Sequence, residues 1–430
     1  MPLHRRRFLG RSLTLGGSVL IGCGDDTIPV LDMGSSSGMP DAGLADAGSP
    51  ADLGAPDLGT PDLGPADSGV PECANPFAGG ETLATQSFPG EVQVPLDRLF
   101  NQGWDGRLYT DLARLDPSDP DPVISNDLFY VRTRYPDLLV PPARWSLDVS
   151  GLATPTQLFL DELLPLERDM GTYVLECSGN SRGGGFGLLG AARWGGIPMS
   201  EVLDRIEIDP AATQVEISGF DEHSVPSRNN HSTPGAAWIF TFDDLASSGA
   251  FLATRMNGEA LPPDHGEPVR LFVPNWYGCT CIKWVNSIRF VDNTEPSTSQ
   301  MREFASRTHQ RFAHRLASDF APATMHLAAM PVRVEKWRVG GEVIYRVVGI
   351  TWGGDTPTDQ LAIRFDGGAP ETVDVCPVPT QSRTWSMWTH AWRPRRTGNI
   401  RITMEVTDPT IPTRRLDSEY YARTVNVDEL

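Results

Sequence analysis

Hydrophobic positions along this chain come in short bursts rather than long periodic stretches. Leu128–Thr133, Trp145–Val149, Tyr173–Glu176, Val215–Ser218 and Val269–Val273 are apolar runs that break off at polar or glycine-rich segments, the length and composition of strands. Helical spacing is rarer: Met199–Ile206 follows Pro198, and Thr241–Ser247 has Asp243 in position to cap it. Strands and helices intermingle without regular alternation, which predicts an α+β domain over residues 85–300. A helical or irregular connector at 301–324 follows. Beyond it Val332–Trp337, Val343–Val348, Leu361–Phe365 and Ile400–Val406 alternate apolar and polar positions, with Gly340-Gly341, Gly353-Gly354 and Asp366–Gly368 at the turns. That pattern predicts an immunoglobulin-like β-sandwich over 325–430, without the cysteine bridge of antibody domains.

The N-terminal 72 residues carry no such pattern. Arg5-Arg6-Arg7-Phe8-Leu9, the short apolar stretch Leu13–Ile21 and Leu20-Ile21-Gly22-Cys23 form a twin-arginine signal with a lipobox over 1–23. Cys23 would be the lipidated first residue of the mature protein, anchoring it to the cell envelope on the periplasmic face. Residues 24–72 repeat Ala-Pro-Asp-Leu-Gly and Thr-Pro-Asp-Leu-Gly, contain no Lys or Arg, and lack the apolar residues for a core. They read as a disordered tether reaching roughly 40 Å root-mean-square.

Much of the formal charge of −19 belongs to this tether, and an acidic chain argues against nucleic acid as a partner. Of six cysteines, Cys73, Cys177, Cys279, Cys281 and Cys376 remain after Cys23. An odd number allows one or two bridges and leaves at least one thiol free. No Cys-x-x-Cys-His is present, so no covalent haem is expected.

Cys177 stands out because it ends an apolar run and opens a glycine-rich turn, Cys177-Ser178-Gly179-Asn180-Ser181-Arg182-Gly183-Gly184-Gly185. A lone cysteine ordinarily packs as a small hydrophobe. Here flexible backbone and a fixed positive charge adjoin it. Other polar groups gather at strand ends: Arg132 in Asp127–Arg132, His265 and Arg270 in Met256–Arg270, and Lys283 in Tyr277–Trp284. Cys279-Thr280-Cys281 is a poor chelate by itself. It suggests two packed thiols, or one paired with Cys73 or Cys376.

Taken in order, Cys177-Ser-Gly-Asn-Ser-Arg182, Ala192-Arg-Trp194-Gly-Gly-Ile-Pro-Met199, Met256-Asn-Gly-Glu-Ala-Leu-Pro262, His265-Gly-Glu-Pro-Val-Arg270 and Ile282-Lys-Trp284 resemble the sulfite oxidase family of molybdopterin enzymes. Gly349-Ile-Thr-Trp-Gly-Gly354 and Phe365-Asp-Gly-Gly368 resemble that family's second domain. The resemblance implies a sulfite-oxidase-type molybdopterin-binding domain followed by the sandwich. It makes Cys177 the molybdenum ligand, and Arg132, Trp194, His265, Arg270 and Lys283 cofactor contacts. Arg132, Arg182 and Arg383 become the cationic substrate pocket, Arg383 through the similarity of Ser382-Arg-Thr-Trp385 to a Gly-Arg-Ala-Trp stretch. Further implications are two-electron oxidation of sulfite or a related small anion, an external electron acceptor such as a c-type cytochrome, and homodimers through the second domain.

Three positions depart from the family pattern. Arg132-Thr133-Arg134 replaces Arg-Asn-His, the connector offers Phe304, Phe312 and His309 but no tyrosine, and Cys279-Thr280-Cys281 precedes Lys283. Two other classes stay open. An S-oxide reductase with the same cofactor ordinarily lacks the segment Ala328–Leu430, and a cofactor-free binding lipoprotein has no need of Cys177 or a twin-arginine signal.

Overall fold

The computed structural model describes residues 73, 75–88, 106–119, 121–133, 142–220 and 236–430. The signal, the tether, Cys23 and Arg134 lie outside them. Residues 70–430 form one compact unit, in which sheets dominate and helices are few and short.

The first half contains two five-stranded sheets. One runs Glu259–Ala260, Phe251–Met256, Leu189–Pro198, Arg168–Glu176, with Arg270–Phe272 also paired to Phe251–Met256. The other runs Thr156–Phe159, Ser146–Gly151, Val285–Val291, Gln214–Gly219, Ala237–Thr241, and its Ser146–Gly151/Val285–Val291 pair is parallel. Short helices fill the connections. Met199–Leu203 starts behind Pro198 as predicted but ends early. In Phe242–Ser248 the cap is Thr241, not Asp243: its hydroxyl accepts from Asp244 N at 3.0 Å while Asp244 accepts from Thr241 N at 2.9 Å. A reciprocal capping box satisfies two orphan amides at once, which outcompetes a lone aspartate two residues later. The predicted strand Leu128–Thr133 shrinks to Val131–Thr133, because Leu128 and Phe129 donate back to Ser125 O in a turn.

The second half holds two four-stranded antiparallel sheets. One is Glu81–Gln86, Ala328–Val339, Glu342–Trp352, Ser386–Trp392; the other is Glu371–Thr372, Leu361–Phe365, Gly398–Val406, Arg423–Val427. Val334, Tyr345 and Val347 pack with Leu361, Ile363, Ile402 and Val425 between them. Met330, Val332, Val348, Ile350 and Trp352, on the other face of the first sheet, join the core of the first half. A sheet covered on both faces explains why Ala328–Lys336 is buried throughout. Glu81–Gln86 adds to this sheet by pairing with Ala328–Val339, and Phe88 packs in its second core. The boundary expected at residue 85 thus falls inside a strand of the C-terminal half. Cys73 is bonded to Cys376, while Cys279 and Cys281 are free and buried, so neither pairs with those two.

Candidate active site at Cys177

Strand Arg168–Glu176 delivers Cys177 to the sheet end. Cys177 N still donates to Leu188 O at 2.9 Å, then the chain turns: Asn180 N donates to Cys177 O at 2.9 Å, and Asn180 Oδ1 accepts from Leu188 N at 3.1 Å. Gly179 N donates to Cys177 Sγ at 3.4 Å. Cys177 is 7% exposed. Two of the following glycines serve packing: a Cβ on Gly184 would stand 2.1 Å from the Tyr109 ring, and one on Gly187 2.5 Å from Thr110 O.

The residue before the thiol is engaged from the far end of the chain. Glu176 is buried and accepts from Trp352 Nε1 at 3.0 Å, Tyr421 OH at 2.9 Å and Asn180 Nδ2 at 3.3 Å, with Arg415 Nη1 at 3.4 Å. Arg415 also donates to Ser178 O at 2.7 Å. Burial works against the Arg415 charge, but Tyr421 and Glu176 outweigh it and raise its pKa. The Tyr420 hydroxyl donates to Asn180 O. Gly278 N donates to Glu176 O at 2.7 Å, which brings Cys279 beside the turn. Burial, reinforced by the neighbouring Cys177, pushes the Cys279 thiol up, so it stays protonated.

A second group of polar residues gathers around Arg270. Arg270 is buried, donates to His265 O at 3.2 Å and Cys281 O at 3.0 Å, and lies 5.7 Å from the Trp194 ring centre. Lys283 Nζ donates to Asp264 O at 2.7 Å. His265 Nε2 meets Asn126 O at 3.2 Å; a carbonyl only accepts, so Nε2 carries the proton and Nδ1 is an acceptor. Burial, together with Lys283 and Arg270, lowers the His265 pKa to about 4. Burial pushes the Tyr130 phenol up, and both Cys177 and Arg270 act on it electrostatically.

The remaining predicted arginines have contacts of their own. Arg182 is exposed and donates to Ala422 O at 2.6 Å. Arg132 pairs across the two-stranded ladder with Arg107. Arg383 is exposed; its carbonyl accepts from Val174 N at 2.9 Å, and its guanidinium lies 3.5 Å from where a Gly249 Cβ would stand.

A family profile described as oxidoreductase molybdopterin binding domain matches residues 134–299. Mitochondrial sulfite oxidase of Drosophila melanogaster is 29% identical over 192 residues, covering 42% of this chain and 33% of the relative. The Homo sapiens enzyme is 26% identical over 294 residues, covering 62% and 52%. Among solved structures, the sulfane dehydrogenase SoxCD from Paracoccus pantotrophus matches with a TM-score of 0.56 at 17% identity, covering 86% of this chain and 100% of that one. Residues 134–299 thus match a molybdopterin-binding oxidoreductase domain, and the chain is similar to sulfite oxidases. It spans about a third to a half of the length of these curated relatives.

The second group of residues fits the molybdopterin of this family. Arg270 Nε is buried with no hydrogen-bond partner among the described residues, and no carboxylate pairs with the guanidinium, so its charge and one donor await an anionic group. With His265 Nδ1 an acceptor, the neutral ring suits an N–H of the pterin better than phosphate oxygens.

The sequence does not single out Arg415, Tyr420, Tyr421 or Glu176. Their roles come from contacts between residues more than 100 positions apart, which no local motif encodes. Glu176 alone left a trace, as a carboxylate closing an apolar strand.

Proposed function

We propose that this protein oxidises a small sulfur oxyanion, sulfite or a close relative, removing two electrons and passing them to an external acceptor such as a c-type cytochrome. The observation carrying this reading is the buried Cys177 thiol at a strand end together with the buried Arg270 guanidinium, which no carboxylate pairs among the described residues. Bound molybdopterin would supply the two-electron, oxygen-atom-transfer chemistry. The chain's own residues bind and orient: Cys177 provides the metal thiolate, Arg270, Lys283 and Trp194 hold the cofactor with Arg132, and His265 accepts from the pterin. Arg132, Arg182 and Arg383 are proposed to favour the anionic substrate, since planar guanidinium groups match oxyanions. Glu176 is paired with Arg415, whose charge offsets that of the carboxylate.

We further propose an immunoglobulin-like C-terminal domain able to form homodimers, and export as a lipoprotein anchored through Cys23. Residues 24–72 would then be the tether over which the enzyme reaches its acceptor. The test is aerobic turnover of the molybdenum-loaded protein with sulfite and ferricyanide. Ferricyanide reduction that depends on both sulfite and molybdenum supports the reading. Turnover only in the direction of S-oxide reduction, or a purified protein without molybdenum, contradicts it.

A further inference from the structure

We propose that Arg307 is the anion-binding, substrate-selecting residue beside Cys177. The proposal rests on the sulfur-oxyanion reading and names the side chain that would take the oxyanion's oxygens. Arg307 lies in the connector, three residues after helix Ser299–Phe304, and its carbonyl faces Arg415 Nη2 at 3.5 Å. An atom at the Cβ position of Gly179 would stand 3.7 Å from Arg307 Nη1 and 3.8 Å from Cys177 Sγ. The guanidinium and the sulfur therefore flank one small space, kept clear because residue 179 has no side chain.

Among the described residues the donors of Arg307 are uncommitted. Arg415 is bonded to Glu176 and Ser178, Arg182 to Ala422, and Arg270 to two carbonyls. Arg307 donates no hydrogen bond and meets no carboxylate among the described residues; the Phe304 ring 5.4 Å away is its contact. A solvated surface arginine could look the same. Arg307, however, is half-buried and its backbone is anchored next to the thiol. A planar fork of five donors on an oxyanion gives charge-assisted, paired hydrogen bonds that a neutral substrate cannot repay. The connector lacks the tyrosine expected there and presents an arginine to the Cys177 turn.

The test uses the full-length, molybdenum-loaded protein with sulfate as an inert oxyanion probe and sulfite as substrate. Arg307→Ala is expected to weaken sulfate binding in calorimetry, and to raise the sulfite KM, about tenfold or more. Molybdenum content and melting behaviour should not change, kcat should fall less than KM rises, and Arg307→Lys should recover part of the affinity. Sulfate affinity and KM within twofold of wild type in Arg307→Ala, or a wild type that binds no sulfate, would overturn the proposal. Should the wild type bind sulfate without oxidising sulfite, the functional reading fails, while a tenfold loss of sulfate binding in Arg307→Ala still upholds the anion site.

Discussion

Arg415 reaches the carboxylate of Glu176 at 3.4 Å across 239 positions of sequence, and Glu176 is the residue immediately before Cys177. The turn that presents the thiol is therefore held by the C-terminal segment as well as by its own sheet. Tyr421 and Trp352 reinforce the hold on the same carboxylate.

Removing one member of that buried pair strands the other charge. Arg415→Ala should cost about 3–5 kcal/mol in urea unfolding, while replacing both partners, as in Glu176→Gln with Arg415→Met, should recover most of it. In cofactor-free protein the single variant should also alkylate faster at Cys177, because Ser178 O loses its donor. Equal alkylation rates would show that the latch does not fix the turn.

Arg270 is a buried charge without a carboxylate, a costly arrangement unless a ligand completes it. Its burial lowers the guanidinium pKa. Arg270→Met should lower pterin content of the purified protein at least tenfold. The cofactor-free form should lose no more than about 1 kcal/mol, the worth of an ordinary hydrogen bond. Full pterin content in Arg270→Met would remove this arginine from the cofactor site.

His265 predicts an acid-side instability. Its pKa is about 4 in the folded protein against 6.5 ordinarily, so the unfolded chain binds the proton first. Its contribution is complete above pH 6.5 and is lost as pH falls towards 4, about 3 kcal/mol in all. Urea midpoints of cofactor-free protein between pH 7 and 4 should fall, and His265→Gln should flatten that slope. An unchanged slope in the variant would assign the loss to other groups.

The Cys73–Cys376 bridge closes a separation of 303 residues. Reducing it, or making Cys73→Ser with Cys376→Ser, should cost up to about 5 kcal/mol by loop entropy. Sulfite turnover should persist, since Cys177, Cys279 and Cys281 are not in the bridge. Loss of turnover under mild reduction with stability retained would place the bridge in the site's chemistry instead.

The parts of this molecule legible in its sequence were those encoded locally. Cys177 at a strand end, the Arg270 and Lys283 strand ends and the alternating strands after Ala328 each follow from neighbours a few residues apart. Thr241 as cap was visible in its spacing from Asp244, but the aspartate beside it drew the assignment. The association of Glu81–Gln86 with a strand 250 residues later, the Glu176 latch and the approach of Arg307 to Gly179 depend on tertiary packing. Nothing in a short window specifies such partners.

The central claim is that Cys177 supplies a thiolate to molybdenum, and X-ray absorption at the molybdenum edge tests it most directly. The wild-type protein should contain molybdenum, and Cys177→Ser should show one sulfur fewer in the metal's first coordination sphere, with sulfite turnover lost. The same sulfur count in both proteins, or full turnover by the serine variant, would contradict the account.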